Sequence, residues 1–449
     1  MPMFCTVLAA SDGNQEIIIA EWELLYPPSG EWLVEARRRI TELTGVAASH
    51  IRLSATHTHA GPSLNKPWFE AGAEMIAPYV ASLTDRLADA ARAAHRAMKP
   101  ARVAGGYGAC AVNTNRRRPW QEGREHFANH PFYQEPRGES LEPILMAPYP
   151  EGFSDHQVGV IRIDDANGEP IATLVNFAAH PTIMAWDNRL LSPDYPGSVR
   201  RTVENIVGGA CLFLQGAAGN QDTIRDYACR SEDAKWIGKQ IGIEAARVAS
   251  LIETEPTRVG ITKFVESSWT MGVSGRVPHG ESDGTVRAIS RIVPMPVWKH
   301  PPPTRDEIEN VARLERELAE LRAQNASDEK IRAANMRVRR AALNLNVNKK
   351  RSAGETLPLE FQAMRLGNCA LVGIPVEPFA EIGVAVKQAS PFATTFFSGY
   401  TNGAEYYMPM AYAYEQGGYE VWMSPFAPEA AARTIEESVE LLKALSNER

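Results

Sequence analysis

Four short strings place imidazole, carboxylate and phenol groups where they could share one cation. In SATHTHAGPS, His57 and His59 stand two apart after an apolar run, Ile51 to Ala55, that reads as a strand. Residues two apart on a strand point to one side, so both imidazoles can address a single site at the strand's end. Imidazole nitrogen is a favoured zinc ligand; the competing reading is a hydrogen-bonded pair at a sheet edge. His180 leaves a second apolar run, NFAAHPTIM, where a titratable ring after mostly buried residues needs a metal or carboxylate partner. His50, His95, His126, His130, His279 and His300 lack such a setting. Glu377 follows CALVGIPV at the carboxyl end of a strand, where α/β proteins commonly build sites; a glutamate capping the next helix is the alternative. The string GYTNGAEYYMPMAYAYEQGGYEV crowds Tyr406, Tyr407, Tyr412, Tyr414 and Tyr419 among glycines. Such phenols ligate metal, hold an oxyanion or simply pack. A hydrolytic zinc site keeps a coordination position for water beside its protein ligands.

The elements that must position these groups follow from periodicity and turn chemistry. Cys5 to Trp22 reads as a hairpin about Ser11-Asp12-Gly13-Asn14. Glu31 to Leu43 reads as a helix closed by Gly45, and a long helical pattern around Ala71 to Met98 stops at Pro100. Arg102 to Val112 is extended. Between Asn113 and Pro150 the chain reads as a long surface loop, rich in proline and aromatics and carrying Arg116, Arg117 and Arg118. A second hairpin spans His156 to Ile163 and Pro170 to Ala178. Helix, strand and helix follow at about Pro196 to Val207, Ala210 to Gln215 and Ser231 to Ile252, and Thr257 to Met271 returns to strand character. Arg305 to Asn344, dense in Glu, Arg, Ala and Leu, predicts a helical hairpin with solvated faces. Strands at Leu359 to Arg365, Ala370 to Ile374 and Thr394 to Ser398, with helices at Phe379 to Ala389 and Pro428 to Leu445, complete the pattern. The expected fold class is therefore α/β, with mixed β-sheets flanked by helices and an inserted helical hairpin at about 304–345.

At 449 residues with 44% apolar content the chain can bury a substantial core. The formal net charge of −7, with both signs scattered, disfavours nucleic acid. No run approaches the roughly 18 apolar residues of a membrane span, so no stable membrane insertion is expected. The amino terminus lacks the basic start and apolar stretch of a secretory signal, although a processed chain would look the same. Cys5, Cys110, Cys211, Cys229 and Cys369 lie far apart and read as reduced thiols. The expected compartment is the cytoplasm. A homo-oligomer is compatible with all of this.

The strings SATHTHAGPS, VNTNR, NFAAHPT, CALVGIPVEPF and NGAEYYMP…YEQGGYE stand in the order of the motifs of neutral ceramidases and their bacterial relatives. Nearly the whole chain resembles the catalytic domain of that family. The resemblance implies zinc, with His57, His180, Glu377 and Tyr407 as ligands; a one-residue slip would exchange Tyr406 for Tyr407. It assigns His59 to hydrogen bonding or proton transfer in the substrate site, and Arg116 and Tyr419 to the substrate side. One string departs from the family. Where ceramidases carry a GDVSPN-like sequence with its serine at the reacting centre, this chain has Gly219-Asn220-Gln221-Asp222-Thr223, and Asp222 takes the serine's place. The expected organisation is a single domain over residues 1–449 without the carboxy-terminal immunoglobulin-like domain of full ceramidases.

These features together predict a zinc-dependent hydrolase that cleaves an amide or related acyl bond with metal-activated water. The expected substrate is small and polar rather than ceramide, partly because Arg116 to Arg118 would suit an acidic group; solvated loop residues are the alternative reading of these arginines. His59 and Asp222 are the proton-transfer candidates, with Tyr419 and Arg116 as donors to developing negative charge. The alternatives are ester, lactone or lyase chemistry at the same metal, or a non-catalytic binding protein that metal merely stabilises.

Overall fold

A computed structural model describes residues 2–62, 64, 73–119, 144–185, 188–299 and 302–447. The first hairpin pairs β1 (Cys5–Ser11) with β2 (Glu16–Trp22), then α1 (Gly30–Thr44) leads to β3 (Ile51–Ala55). Next come α2 (Ile76–Arg96), β4 (Ala101–Ala109), β5 (Asn113–Pro119), β6 (Ile144–Tyr149), β7 (Gln157–Asp165) and β8 (Pro170–Phe177). The middle of the chain holds α3 (Asp194–Val207), β9 (Ala210–Gln215), β10 (Gln221–Thr223), α4 (Ser231–Leu251), β11 (Thr257–Glu266), β12 (Thr270–Pro278) and β13 (Val286–Pro296). The helical hairpin is α5 (Arg305–Ala323) and α6 (Asp328–Ser352). The last part runs β14 (Thr356–Leu366), β15 (Cys369–Gly373), β16 (Glu377–Pro378), α7 (Ala380–Ala389), β17 (Thr394–Ser398), β18 (Tyr407–Met408), α8 (Ala411–Gln416), α9 (Tyr419–Trp422) and α10 (Ala430–Asn447).

Strands with apolar residues on both faces must be covered twice, and that requirement sets the architecture. One sheet has the order β4-β7-β8-β9 and another β13-β14-β15-β17; each is antiparallel except for its last pair, which is parallel. Ile161, Leu174, Leu212 and Leu214 of the first sheet pack on Met364, Leu371 and Phe396 of the second, so the two sheets meet face to face. The outer face of the first, with Val158, Val160, Val175 and Phe213, is covered by Tyr195, Val199 and Val203 of α3 and Ile237 and Ile241 of α4. The outer face of the second, with Phe361, Ala363, Val372 and Phe397, is covered by Ile382 and Val386 of α7 and Leu441, Leu442 and Leu445 of α10. The layers therefore run helix, sheet, sheet, helix. A smaller sheet, β1-β2-β3, packs with α1 and α2 at one side.

Two expectations need correction. The segment 113–150 is not a loop at its ends: β5 and β6 pair with each other, and β10 adds to β5, while residues 120–143 lie outside the described residues. Arg116 and Arg117, which give the segment its solvated look, point inward to acidic partners. The helical hairpin is not solvated throughout either. The last turns of α6 bury Leu345, Val347, Asn348 and Arg351, and Leu343 and Val347 pack with Tyr407, Tyr419, Trp422 and Met423. Arg351 donates to the carbonyls of Val421, Trp422 and Ser424. The hairpin is thus anchored on the tyrosine string. Among the described residues no helix is long and apolar enough to cross a membrane, and all five cysteines are free thiols.

Candidate metal centre

The site forms where chain segments leave three different sheets. β3 ends at Ala55, and His57 has φ 69°, a left-handed backbone uncommon outside glycine. The turn is held by His57 N–H to Leu24 O at 2.9 Å and His59 N–H to Pro181 O at 3.1 Å. His57 and His59 are therefore brought together by a turn, not by strand alternation as the sequence suggested. His180 lies beyond the end of β8, its N–H bonded to Gln221 O at 2.8 Å. Glu377 and Tyr407 face each other in the parallel pairing of β16 with β18. The loop after β9 closes over this pair at Gly219, where a Cβ would sit 2.6 Å from Glu377 O, so only glycine fits.

The side chains converge. His57 Nε2 lies 3.4 Å and His180 Nε2 3.2 Å from one oxygen of Glu377, and His59 Nε2 lies 3.3 Å from His57 Nε2. The ligand nitrogens of all three histidines fall within 4.8 Å of one another. The Tyr407 hydroxyl is 3.4 Å from His180 Nε2. Tyr406 points elsewhere: it has φ 63°, and the Lys350 ammonium lies over its ring. His57 Nδ1 is 2.8 Å from Leu25 O and His180 Nδ1 2.7 Å from Ala218 O. A carbonyl can only accept, so each Nδ1 carries the proton and each Nε2 presents a lone pair to the common centre. Two oriented imidazoles, a carboxylate and a phenol make a donor set that fits a divalent cation such as zinc.

Burial and neighbouring charge tune these groups. Burial works to raise the Glu377 pKa, but positive charge on the side of the carboxylate that faces His57 and His180, the side a cation would occupy, holds it well below the usual carboxylate range. Burial, then the Arg116 charge, lowers His180 and keeps its ring neutral. His59 is on the open side of the trio; desolvation by the surrounding protein, then His57 and His180, lowers it well below its ordinary value. Burial and then Glu377 push the Tyr407 phenol well up, while Arg116 pulls it the other way.

Arg116, fully buried, ties the site to a second ring of residues. Its Nε donates to Glu420 at 2.8 Å, and its two terminal nitrogens donate to Asp222 and to the Tyr407 hydroxyl, each at 3.1 Å. Arg117 donates to the other Glu420 oxygen at 2.6 Å and to Gly417 O at 2.7 Å, and Arg118 to Pro148 O at 2.9 Å. Asp222 is placed beside Arg116 by the pairing of β10 with β5. These contacts overturn the reading of Arg116 to Arg118 as a receptor for an acidic substrate, since the first two already neutralise buried acids. The Tyr419 ring stands 5.5 Å from that of Tyr407, and its hydroxyl is pushed up to about 12, by burial and then Glu377.

No protein-family model matches the chain. Neutral ceramidase B of Dictyostelium discoideum is 26% identical over 207 residues, covering 45% of this chain and 26% of that protein. Neutral ceramidase A of the same organism is 25% identical over 195 residues, covering 42% and 25%. The crystal structure of neutral ceramidase from Pseudomonas aeruginosa superposes with a TM-score of 0.61 at 20% identity, covering 97% of this chain and 67% of that one. A ceramidase complexed with C2 gives 0.62 at 18% identity, covering 99% and 70%. The chain is a relative of the neutral ceramidases. Its mixed sheets with flanking helices are the neutral ceramidase fold, and the aligned stretches span about a quarter of the curated relatives' length.

At this centre the structure places two further tyrosines beside His57 that the sequence does not single out. Tyr400, with φ 50°, stacks on His57 at 4.1 Å between ring centroids and donates to Glu377 at 3.4 Å. Tyr26 stands 5.6 Å from the His57 ring. Neither is singled out by the sequence: Tyr400 opens the tyrosine-rich string after the strand that ends at Ser398, and Tyr26 stands before Pro27-Pro28 with no patterned neighbour. His126, His130 and His300 lie outside the described residues.

Proposed function

We propose that this neutral-ceramidase relative is a zinc-dependent hydrolase of an amide or related acyl bond. The observation that carries the reading is the convergence of two Nε2 lone pairs on Glu377, each fixed by an Nδ1–H bond to a carbonyl. His57, His180, Glu377 and Tyr407 would hold the cation, which when bound lowers the pKa of water toward neutrality and polarises a carbonyl. His59, on the open side and neutral, is placed to take a proton from water and pass it to the leaving group. Arg116 acts through Tyr407: a guanidinium beside the phenol favours its ionised, ligating form. Tyr419, protonated at neutral pH, supplies a hydrogen-bond donor toward charge developing on the acyl oxygen. Asp222, held by Arg116, supports the arginine's position and is the finer departure from the family. Its replacement of the serine supports a substrate smaller and more polar than ceramide.

The test is metal content and turnover on a matched panel of N-acyl amides, esters and lactones. His57→Ala and His180→Ala should lose bound zinc and all hydrolysis, whereas His59→Ala should keep zinc and lose turnover by about 10²–10⁴-fold. A metal-free variant that still turns over would refute the reading. Zinc loss in His59→Ala would move that residue into the ligand set, an arrangement its 3.3 Å distance from His57 also permits. Preference for esters or lactones over amides would replace the amidohydrolase assignment while leaving the metal.

A further inference from the structure

Arg339, Leu343 and Val347 recur at four-residue spacing on α6, so they share one side of the helix. Leu343 and Val347 seat that side on Tyr407, Tyr419, Trp422 and Met423. Arg339 lies one turn further toward the helix N-terminus, the direction in which long helical side chains lean. There it is half-buried. Burial lowers its pKa, and Tyr26 and then Tyr419 act to raise it. Tyr26, 36% exposed, stands 5.6 Å from the ring of His57, and half-buried Tyr419 stands 5.5 Å from the ring of Tyr407. The two phenols thus flank two different ligands of the proposed cation, and a guanidinium that acts on both bridges the rim between them.

The other charged groups that act on these phenols are Glu377, Arg116 and Glu420. All three are buried and committed: Glu377 faces the histidines, and Arg116 pairs with Glu420. Arg339 differs in standing at the rim and in coming from the inserted hairpin. A guanidinium carries five N–H donors, so it can hold a phenol and still offer its fork to an incoming group. The fork matches a carboxylate bidentately, which a lysine at the same place would not do. Its neighbour Arg340 is more exposed and turns to the Trp422 ring, 5.7 Å from the centroid.

We infer that Arg339 is a specificity-determining residue that anchors a carboxylate on the substrate, so that the preferred substrates are amides or related acyl compounds bearing an acidic group. This rests on the hydrolase reading above and names its substrate class. The test uses N-acetyl amino acids of increasing chain length and N-methylsuccinamic and N-methylglutaramic acids, each beside its neutral carboxamide. Binding to the zinc-loaded full chain is read by calorimetry, and turnover as kcat/KM. Wild type should prefer the best carboxylate over its carboxamide by at least about tenfold. Arg339→Gln should abolish that preference with zinc content and carboxamide binding unchanged, and Arg339→Lys should keep part of it. Arg340→Gln removes the same charge one residue away and should leave the preference intact. A wild type without charge preference overturns the inference, as does a preference that survives in Arg339→Gln or disappears equally in Arg340→Gln. Carboxamide binding lost together with carboxylate binding in Arg339→Gln, and not restored in Arg339→Lys, gives the residue a structural role and also overturns it. Hydrolysis without charge preference would keep the hydrolase and reject the anchor. Charge-selective binding that depends on Arg339, with no member hydrolysed, would keep the anchor and reject the hydrolase.

Discussion

Arg116 shows how much one buried side chain can hold in place. It reaches a phenol at the metal centre and two carboxylates outside it, and a planar guanidinium is the one side chain that can span three such partners. Arg117 shares only Glu420 with it, so the pair offers an internal control. Arg116→Lys and Arg117→Lys should each lower stability by about 1–3 kcal/mol, because each leaves buried acceptors short of a donor. Only Arg116→Lys should weaken zinc binding, by about 10–100-fold, as expected when the group that orients and charges a ligand is removed. Competition against a chromophoric chelator, read alongside urea unfolding, separates the two effects. Equal zinc affinity in both variants would mean that Tyr407 does not act through Arg116.

At the level of elements, the first hairpin illustrates a turn that does more than reverse the chain. The Asp12 carboxylate accepts N–H bonds from Asn14 and Gln15 at 2.8 Å and from Val286 at 3.2 Å, and it pairs with Arg287, so it fastens the turn to β13. Burial alone would raise its pKa, but these donors bring it down to about 2 from 3.8. A depressed carboxylate contributes stability that is present above the unfolded value and disappears as pH falls through the folded one. Asp12→Asn should therefore cost about 2 kcal/mol at pH 7, and the difference from wild type should shrink as pH falls from 4 toward 2. Urea midpoints across that range check it; a gap that is constant with pH would show that the charge is not what matters. This turn was legible in the sequence, as were most strands of the two large sheets, because their apolar runs and turn residues agree with burial. β13 was not. It carries Pro294 and Pro296 with Arg287 and Arg291, and only the structure shows Pro294 opposite Pro358, where neither residue asks the other for an N–H. The short pairing of β16 with β18 was equally invisible, since two residues have no period, yet it is what sets Tyr407 rather than Tyr406 beside the histidines.

For the molecule as a whole, the candidate site depends on how the layers stack. Side chains His57, His180 and Glu377 follow strands of three different sheets, so their motifs could be read one by one while their distances could not. The His180 to Glu377 distance spans the seam between the two large sheets, since β8 leads to the first residue and β15 to the second. At that seam Gly159 of β7 faces Phe396 of β17, and a Cβ at residue 159 would lie 2.6 Å from the Phe396 ring. Gly159→Ala should overpack the seam and cost about 1–3 kcal/mol, and Phe396→Ala should leave a cavity costing about 3–5 kcal/mol. In the double variant the new methyl group enters the space the ring has left. The combined loss should then fall short of the sum by about 0.5–3 kcal/mol, as measured by urea unfolding of all four proteins. Strict additivity would mean that the sheets can separate at this point without cost. In that case a small change in layer spacing would be free to move the ligand-bearing loops, and the convergence on Glu377 could not depend on how closely the two sheets pack.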